Sequence, residues 1–277
     1  MAEQHWTPND IAWDRFDQRK IDPEITKMVK AAALVEYNGN DYADYLCSIF
    51  AGDPEFCALA RAWAAEEVQH GAVLGRWAQL ADPEFDLDGA AARFRSVYRV
   101  DTGADRSVRG SLSAELVARC IVEVGTSSYY GSLREATEEP VLQEICQRIA
   151  ADELRHYKLF YVYLKRYLAR EKVGKWRRTL IAFGRISEAE DDELAYAFWA
   201  ANAAPDCAYD RKKCSNAYLG RAYGYYQQKY IDRATAMTCK AAGLNPQGLV
   251  SRFAAKQIFR IIKSRHRKLQ AAGALAF

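Results

Sequence analysis

Two short patterns in this chain pair a carboxylate with an imidazole at a spacing that suits a metal ion. Glu67 and His70 lie in Ala64-Ala-Glu-Glu-Val-Gln-His-Gly71, and Glu153 and His156 lie in Ala150-Ala-Asp-Glu-Leu-Arg-His156. On a helix, residues three apart share a face about one turn apart, so each pair can grip one ion. A lone acid precedes each pattern in an otherwise apolar run: Glu36 after Ala31-Ala-Ala-Leu-Val, and Glu123 after Leu116-Val-Ala-Arg-Cys-Ile-Val. Glu36 precedes Glu67 by 31 residues, Glu123 precedes Glu153 by 30, and the halves repeat at about 87 residues. A buried carboxylate without a partner is costly, so four that converge call for cations. One Glu from each of two helices, with one Glu-x-x-His from each of two others, is the ligand set of a two-metal carboxylate site in a helix bundle. A single Glu-x-x-His is also an ordinary solvated helix pair. The duplication, the order and the apolar settings favour metal here, and two of only four His fall in the pattern.

Four helices must position these groups. Asp22-Pro23-Glu24 supplies a cap, a first-turn Pro and an acid at the positive helix end, so helix 1 is predicted from there to about Phe50, with Gly39 a weak point. Ala51-Gly-Asp-Pro54 closes it and opens helix 2, which runs to about Leu80. A long crossover from Asp82 to Gly110, with a helical piece near Ala90–Tyr98, returns the chain for helix 3, opened by Ser111 or Ser113 and running to about Thr137. Pro140 opens helix 4, which continues to about Glu171. The first 22 residues, with Trp6 and Trp13, read as an irregular arm on the bundle. No segment alternates with period two, so the expected fold is all-α: a ferritin-like four-helix bundle with additional C-terminal helices. The expected division is a bundle with its arm over residues 1–170 and a basic helical extension packed on it over 171–277. In the extension, Lys172–Arg178 is basic, and Ile186–Ala203 reads as an amphipathic helix with an acidic start (Glu188, Glu190, Asp191, Asp192, Glu193). Further helices are predicted over Ser215–Ala242 and Pro246–Gln270.

Composition excludes several function classes. No apolar run is long enough to span a bilayer, and Met1-Ala-Glu-Gln-His-Trp6 has neither a basic region nor an apolar signal core. The seven Cys form no Cys-x-x-Cys, which leaves no rubredoxin-type or thioredoxin-type centre, and they read as reduced core thiols of a cytoplasmic protein. No phosphate-binding glycine motif and no nucleophile triad can be assembled. Net charge is +3, but residues 1–169 carry 19 Lys and Arg against 27 Asp and Glu, and residues 170–277 carry 20 against 9. The basic back half is either a solvated face or a dock for an acidic partner.

Arg61-Ala-Trp-Ala-Ala-Glu-Glu-Val-Gln-His-Gly71 resembles the second-helix signature of the soluble acyl-acyl-carrier-protein desaturases, and Ile149-Ala-Ala-Asp-Glu-Leu-Arg-His156 resembles their fourth. The resemblance covers about residues 30–168. Its third helix, Glu123-Val-Gly-Thr-Ser-Ser-Tyr-Tyr130, is only loosely similar, and residues beyond about 170 show no likeness. The resemblance implies metal ligands Glu36, Glu67, His70, Glu123, Glu153 and His156, and a Thr beside the metals at Thr126. Two Fe ions are expected, with Mn also compatible with hard oxygen ligands and a little imidazole. Glu67 and Glu153 are the expected bridges. Because a ligating His usually donates its other N–H to a carboxylate, Asp152 is expected to hold His70 and Glu66 or another acid His156, while Arg155 pairs with buried acids. The expected function is an O2-dependent diiron oxidase acting on an acyl or other lipid-like chain. Its expected partners are an external donor such as a ferredoxin, an acidic acyl carrier docked near Lys175, Arg177 and Arg178, and a second copy in a homodimer. A diiron enzyme acting on fatty aldehydes or other small molecules, an iron-handling protein and a metal-free scaffold remain open.

Overall fold

Acidic and hydroxyl side chains open the helices that carry the candidate ligands. Asp22 accepts from Glu24 N at 2.7 Å, Asp53 from Phe56 N at 3.1 Å, Ser111 Oγ from Ala114 N at 3.2 Å and Glu139 from Leu142 N at 2.8 Å. Pro follows three of these caps in the first turn, where its missing N–H costs nothing. The computed structural model describes residues 5–188, 192–204 and 206–273, with no strand among them. The helices are α1 (Pro23–Glu36), α2 (Gly39–Ile49), α3 (Pro54–Ala81), α4 (Leu87–Val97), α5 (Leu112–Ala136), α6 (Pro140–Glu171), α7 (Lys175–Glu188), α8 (Asp192–Asn202), α9 (Arg211–Tyr225), α10 (Gln228–Ala242) and α11 (Leu249–Ala271). The fold is all-α: a ferritin-like bundle of α1–α2, α3, α5 and α6 with additional C-terminal helices. No described helix is long and apolar enough to cross a membrane.

Two predicted helices are broken. Helix 1 is interrupted at Tyr37–Asn38, where the chain crosses α3 at close range. A Cβ at Gly39 would stand 2.7 Å from Glu67 Cβ, and one at Gly71 would stand 2.5 Å from Tyr37 N, so Gly on both sides permits the crossing. The helix predicted over Ser215–Ala242 divides at Tyr226–Gln227 into α9 and α10. That predicted over Ile186–Ala203 is observed as the end of α7 and as α8; Glu190 and Asp191, part of its expected acidic start, lie outside the described residues.

Two apolar clusters fill the interior, and the candidate ligands mark the changeover between them. On α3 the first cluster ends at Ala64 and the second begins at Val73, with Glu67 and His70 between. On α6 the clusters meet between Ile149 and Tyr157, which brackets Glu153 and His156. Both clusters continue into the C-terminal helices, through Ala197, Phe198 and Ala217 in one and Ala182 and Ala241 in the other. α8 packs on α1 and α4, and α10 on α5. Buried Arg221 on α9 reaches Glu24 at the start of α1 at 2.5 Å. Glu139, fully buried, accepts from Trp77 Nε1 at 2.7 Å and from Asp17 N at 3.1 Å, which pins α3 and the arm to the start of α6. All seven cysteines are free.

Candidate metal centre

The four carboxylates and two imidazoles converge in the middle of the bundle. They form two overlapping groups, Glu36, Glu67, His70 and Glu153, and Glu67, Glu123, Glu153 and His156; within each, one ligand atom per residue lies within 4.8 Å of the others. Glu67 and Glu153 belong to both. All six residues are buried, His70 completely.

The inward atoms of this set lack hydrogen-bond partners. Glu67 Oε1, His70 Nδ1, both oxygens of Glu123, Glu153 Oε1 and His156 Nδ1 are buried without one. They nevertheless crowd together. His156 Nδ1 stands 3.0 Å from Glu67 Oε1 and 3.5 Å from Glu123 Oε2, and His70 Nδ1 stands 3.4 Å from Glu153 Oε1 and 3.8 Å from Glu36 Oε2. These are close approaches without hydrogen-bond geometry. Buried polar atoms are normally satisfied, so six orphaned atoms aimed at one another are what a pair of cations would complete.

The outward ring nitrogens, in contrast, are fully engaged. His70 Nε2 faces Asp152 Oδ2 at 3.0 Å, and His156 Nε2 faces Glu66 Oε2 at 3.1 Å. Arg155 ties these two acids together, donating to Asp152 Oδ1 at 2.5 Å and to Glu66 Oε2 at 3.0 Å. A carboxylate at Nε2 fixes that nitrogen as the N–H donor and leaves Nδ1 free to bind an ion.

Charge in the cluster follows from burial and mutual contact. Burial pushes Glu67 well up, helped by the charges of Glu153 and Glu36, and pushes Glu123 up to about 8. Burial would also raise Glu153, but the imidazoles of His156 and His70 close by outweigh it and bring Glu153 down to about 2. Both imidazoles are disfavoured as cations by burial, yet their carboxylate neighbours hold them well above the ordinary histidine value. The metal-free chain thus balances its buried acids with protons.

Thr126 Oγ1 donates to Val122 O at 3.0 Å, within its own helix. Tyr130, by contrast, donates to Glu36 Oε1 at 2.6 Å. Two further residues escape sequence reasoning. Trp6, on the irregular arm, donates from Nε1 to Asp152 Oδ2 at 2.7 Å and stacks on His70 at a centroid distance of 6.0 Å. The arm has no periodicity to mark such a residue, and only the unusual Trp content of a short polar segment hinted at it. Glu193, read as part of an acidic helix start, buries Oε1 without a partner. Burial, with Glu36 nearby, pushes its carboxyl up to about 8.

The family model described as fatty acid desaturase matches residues 15–182. Palmitoyl-[acyl-carrier-protein] 4-desaturase 2, chloroplastic, of Ophrys sphegodes is 27% identical over 135 residues, which cover 48% of this chain and 35% of that protein. The protein of the same name from Ophrys arachnitiformis subsp. archipelagi matches to the same extent. The chain therefore aligns with about a third of the length of these curated relatives.

Proposed function

The chain belongs to the fatty acid desaturase family, and on that premise we propose that its buried cluster holds two iron ions and serves an O2-dependent oxidation of an acyl or other lipid-like chain. The observation that carries this reading is the pair of four-residue groups sharing Glu67 and Glu153, with their inward atoms orphaned. Four carboxylates and two imidazoles suit Fe, with Mn compatible. When bound, the metal pair supplies the O2 chemistry that takes hydrogen from an unactivated C–H bond, which no side chain can do.

Each residue of the chain then has a distinct part. Glu67 and Glu153, which belong to both groups, would be shared by the two ions, and Glu36 and Glu123 would each help hold one. His70 and His156 offer Nδ1, with Asp152 and Glu66 holding their Nε2–H. Tyr130 fixes one oxygen of Glu36. Arg155 locks the two outer acids into one unit and balances part of their charge. The apolar clusters on either side would keep water from the metal pair. Replacing Asp152 with Asn removes the anionic acceptor while keeping its size. Metal affinity, followed by Co(II) absorption, is expected to fall about 10- to 100-fold with helicity unchanged.

An acidic acyl carrier and an external reductant need a basic dock. Arg178 is unsuited to it, since its Nη1 turns inward to Ala241 O at 3.3 Å. α11 offers a better surface: it carries Arg252, Lys256, Arg260, Lys263, Arg265, Arg267 and Lys268 and no acid. Reversing exposed Lys256 and Arg260 to Glu is expected to raise the apparent KM for an acidic carrier or ferredoxin several-fold at low salt, mostly through the association rate. Unchanged kinetics would remove α11 from the dock.

The proposed reaction is tested with Fe(II)-loaded protein, a ferredoxin reducing system and acyl groups on a carrier protein. O2 uptake should rise with the acyl compound, and mass spectrometry should find a product two hydrogens lighter, or one with an added oxygen. O2 uptake indifferent to every acyl compound would favour iron handling.

A further inference from the structure

Eight of the twelve large apolar side chains exposed on the described surface lie on α7 and α11. Four of them, Trp176, Leu180, Phe183 and Ile186, sit on α7 at 86, 70, 60 and 42% exposure. Trp176, Leu180 and Phe183 recur at helical spacing and form one stripe. The opposite side of the helix packs inward through buried Ala182 and through Arg178, whose guanidinium meets the carbonyl of Ala241. The helix is therefore inside out for a globular protein, with its largest apolar groups in solvent. Exposed Lys175 and Arg177 flank the stripe. α7 carries Lys175, Arg177, Arg178 and Arg185 against one acid, Glu188 at its last position.

Charge decides among possible occupants. A twofold contact would lay this helix against its own image, and four bases from each copy would then meet with a single acid apiece, Glu188, to offset them. An anionic bilayer offers both complements at once: phosphates at the depth of the bases, and hydrocarbon beyond them for the stripe. Trp is the residue that most favours that boundary.

We infer that α7 is an interfacial helix that seats the protein on an anionic lipid surface, with Trp176, Leu180 and Phe183 inserted and Lys175 and Arg177 against lipid phosphates. This goes beyond the proposed oxidation and stands without it, because neither the stripe nor its bases touch the metal cluster.

The test sediments the metal-loaded full chain with vesicles of phosphatidylglycerol and phosphatidylcholine, or of phosphatidylcholine alone. Binding is expected to the anionic vesicles only, weakened by salt. L180E and the double variant W176E/L180E should weaken it at least about tenfold, and K175E/R177E should weaken it less. These positions are exposed, so melting temperatures should be unchanged. No binding to anionic vesicles, or binding that L180E leaves intact, would overturn the inference. So would a solution dimer dissociated by L180E, which would assign the stripe to a second copy. Displacement from vesicles by an acidic carrier protein that binds the same stripe would overturn it as well.

Discussion

Glu153→Gln is expected to abolish the metal pair, whereas Glu36→Gln is expected to leave about one ion per chain. The difference follows from sharing. Glu153 belongs to both four-residue groups and lies within reach of both imidazoles, at 3.4 Å from His70 Nδ1 and 3.8 Å from His156 Nδ1. Glu36 belongs to one group only. Gln preserves the volume in a tightly packed site but removes the anionic oxygen. Turnover in both variants should fall by more than the about 100-fold that loss of an outer hydrogen-bond partner costs. Metal analysis after anaerobic loading provides the check. Equal occupancy in the two variants would contradict the assignment of Glu153 as a bridge.

The second large effect is a reversal of pH dependence by metal. In the metal-free chain Glu123 has its folded pKa raised from 4.5 to about 8. Its neutral form is favoured in the fold, so its stabilising effect is present below about pH 4.5 and is lost as pH rises toward 8. At about 1.4 kcal/mol per pKa unit this is worth up to about 5 kcal/mol. Glu67 has the same sign, and so do the two imidazoles, whose effect is lost as pH rises above the ordinary histidine range. The depressed carboxylates Glu66, Asp152 and Glu153 act in the acid range below their ordinary values and leave this window alone. The metal-free Tm is therefore expected to fall between about pH 5 and 8. Bound metal requires the same groups deprotonated, so in loaded protein Tm should rise over that interval and uptake should release protons. Glu123→Gln should flatten the metal-free slope. A metal-free Tm that climbs with pH would contradict the proton-balanced cluster.

The sequence exposes this centre unevenly, for physical reasons. Glu36, Glu67, Glu123 and Glu153 interrupt long apolar helices at matched spacing. Helical periodicity converts spacing directly into a shared face, so their convergence could be read before the fold was known. The acids behind the imidazoles were legible for a related reason: Asp152 and Glu66 each immediately precede a ligand-type Glu, which rotates them toward the neighbouring helix. Trp6 was not legible, because it sits in 3-10 turns and extended chain whose course is set by tertiary contacts such as Asp17 N with Glu139. The burial of Glu193 was not legible because an acid in the first turn of a helix ordinarily faces solvent and favours the helix dipole, whereas α8 lies against α1 and brings it inward. The break at Tyr37–Asn38 depends on the close passage of α3, which a single Gly39 announces only weakly. Arg178 looks like its neighbours in a basic run, and only the packing of α7 on α5 and α10 separates it from Lys175 and Arg177.

The most direct measurement is metal content per chain after anaerobic Fe(II) loading, with Mössbauer spectra of isotope-enriched protein before and after O2. Two irons per chain are expected, magnetically coupled after exposure to O2, with the oxidation rate altered by long acyl compounds. Less than one iron per chain in folded protein, or two irons that O2 leaves unchanged, would contradict that expectation.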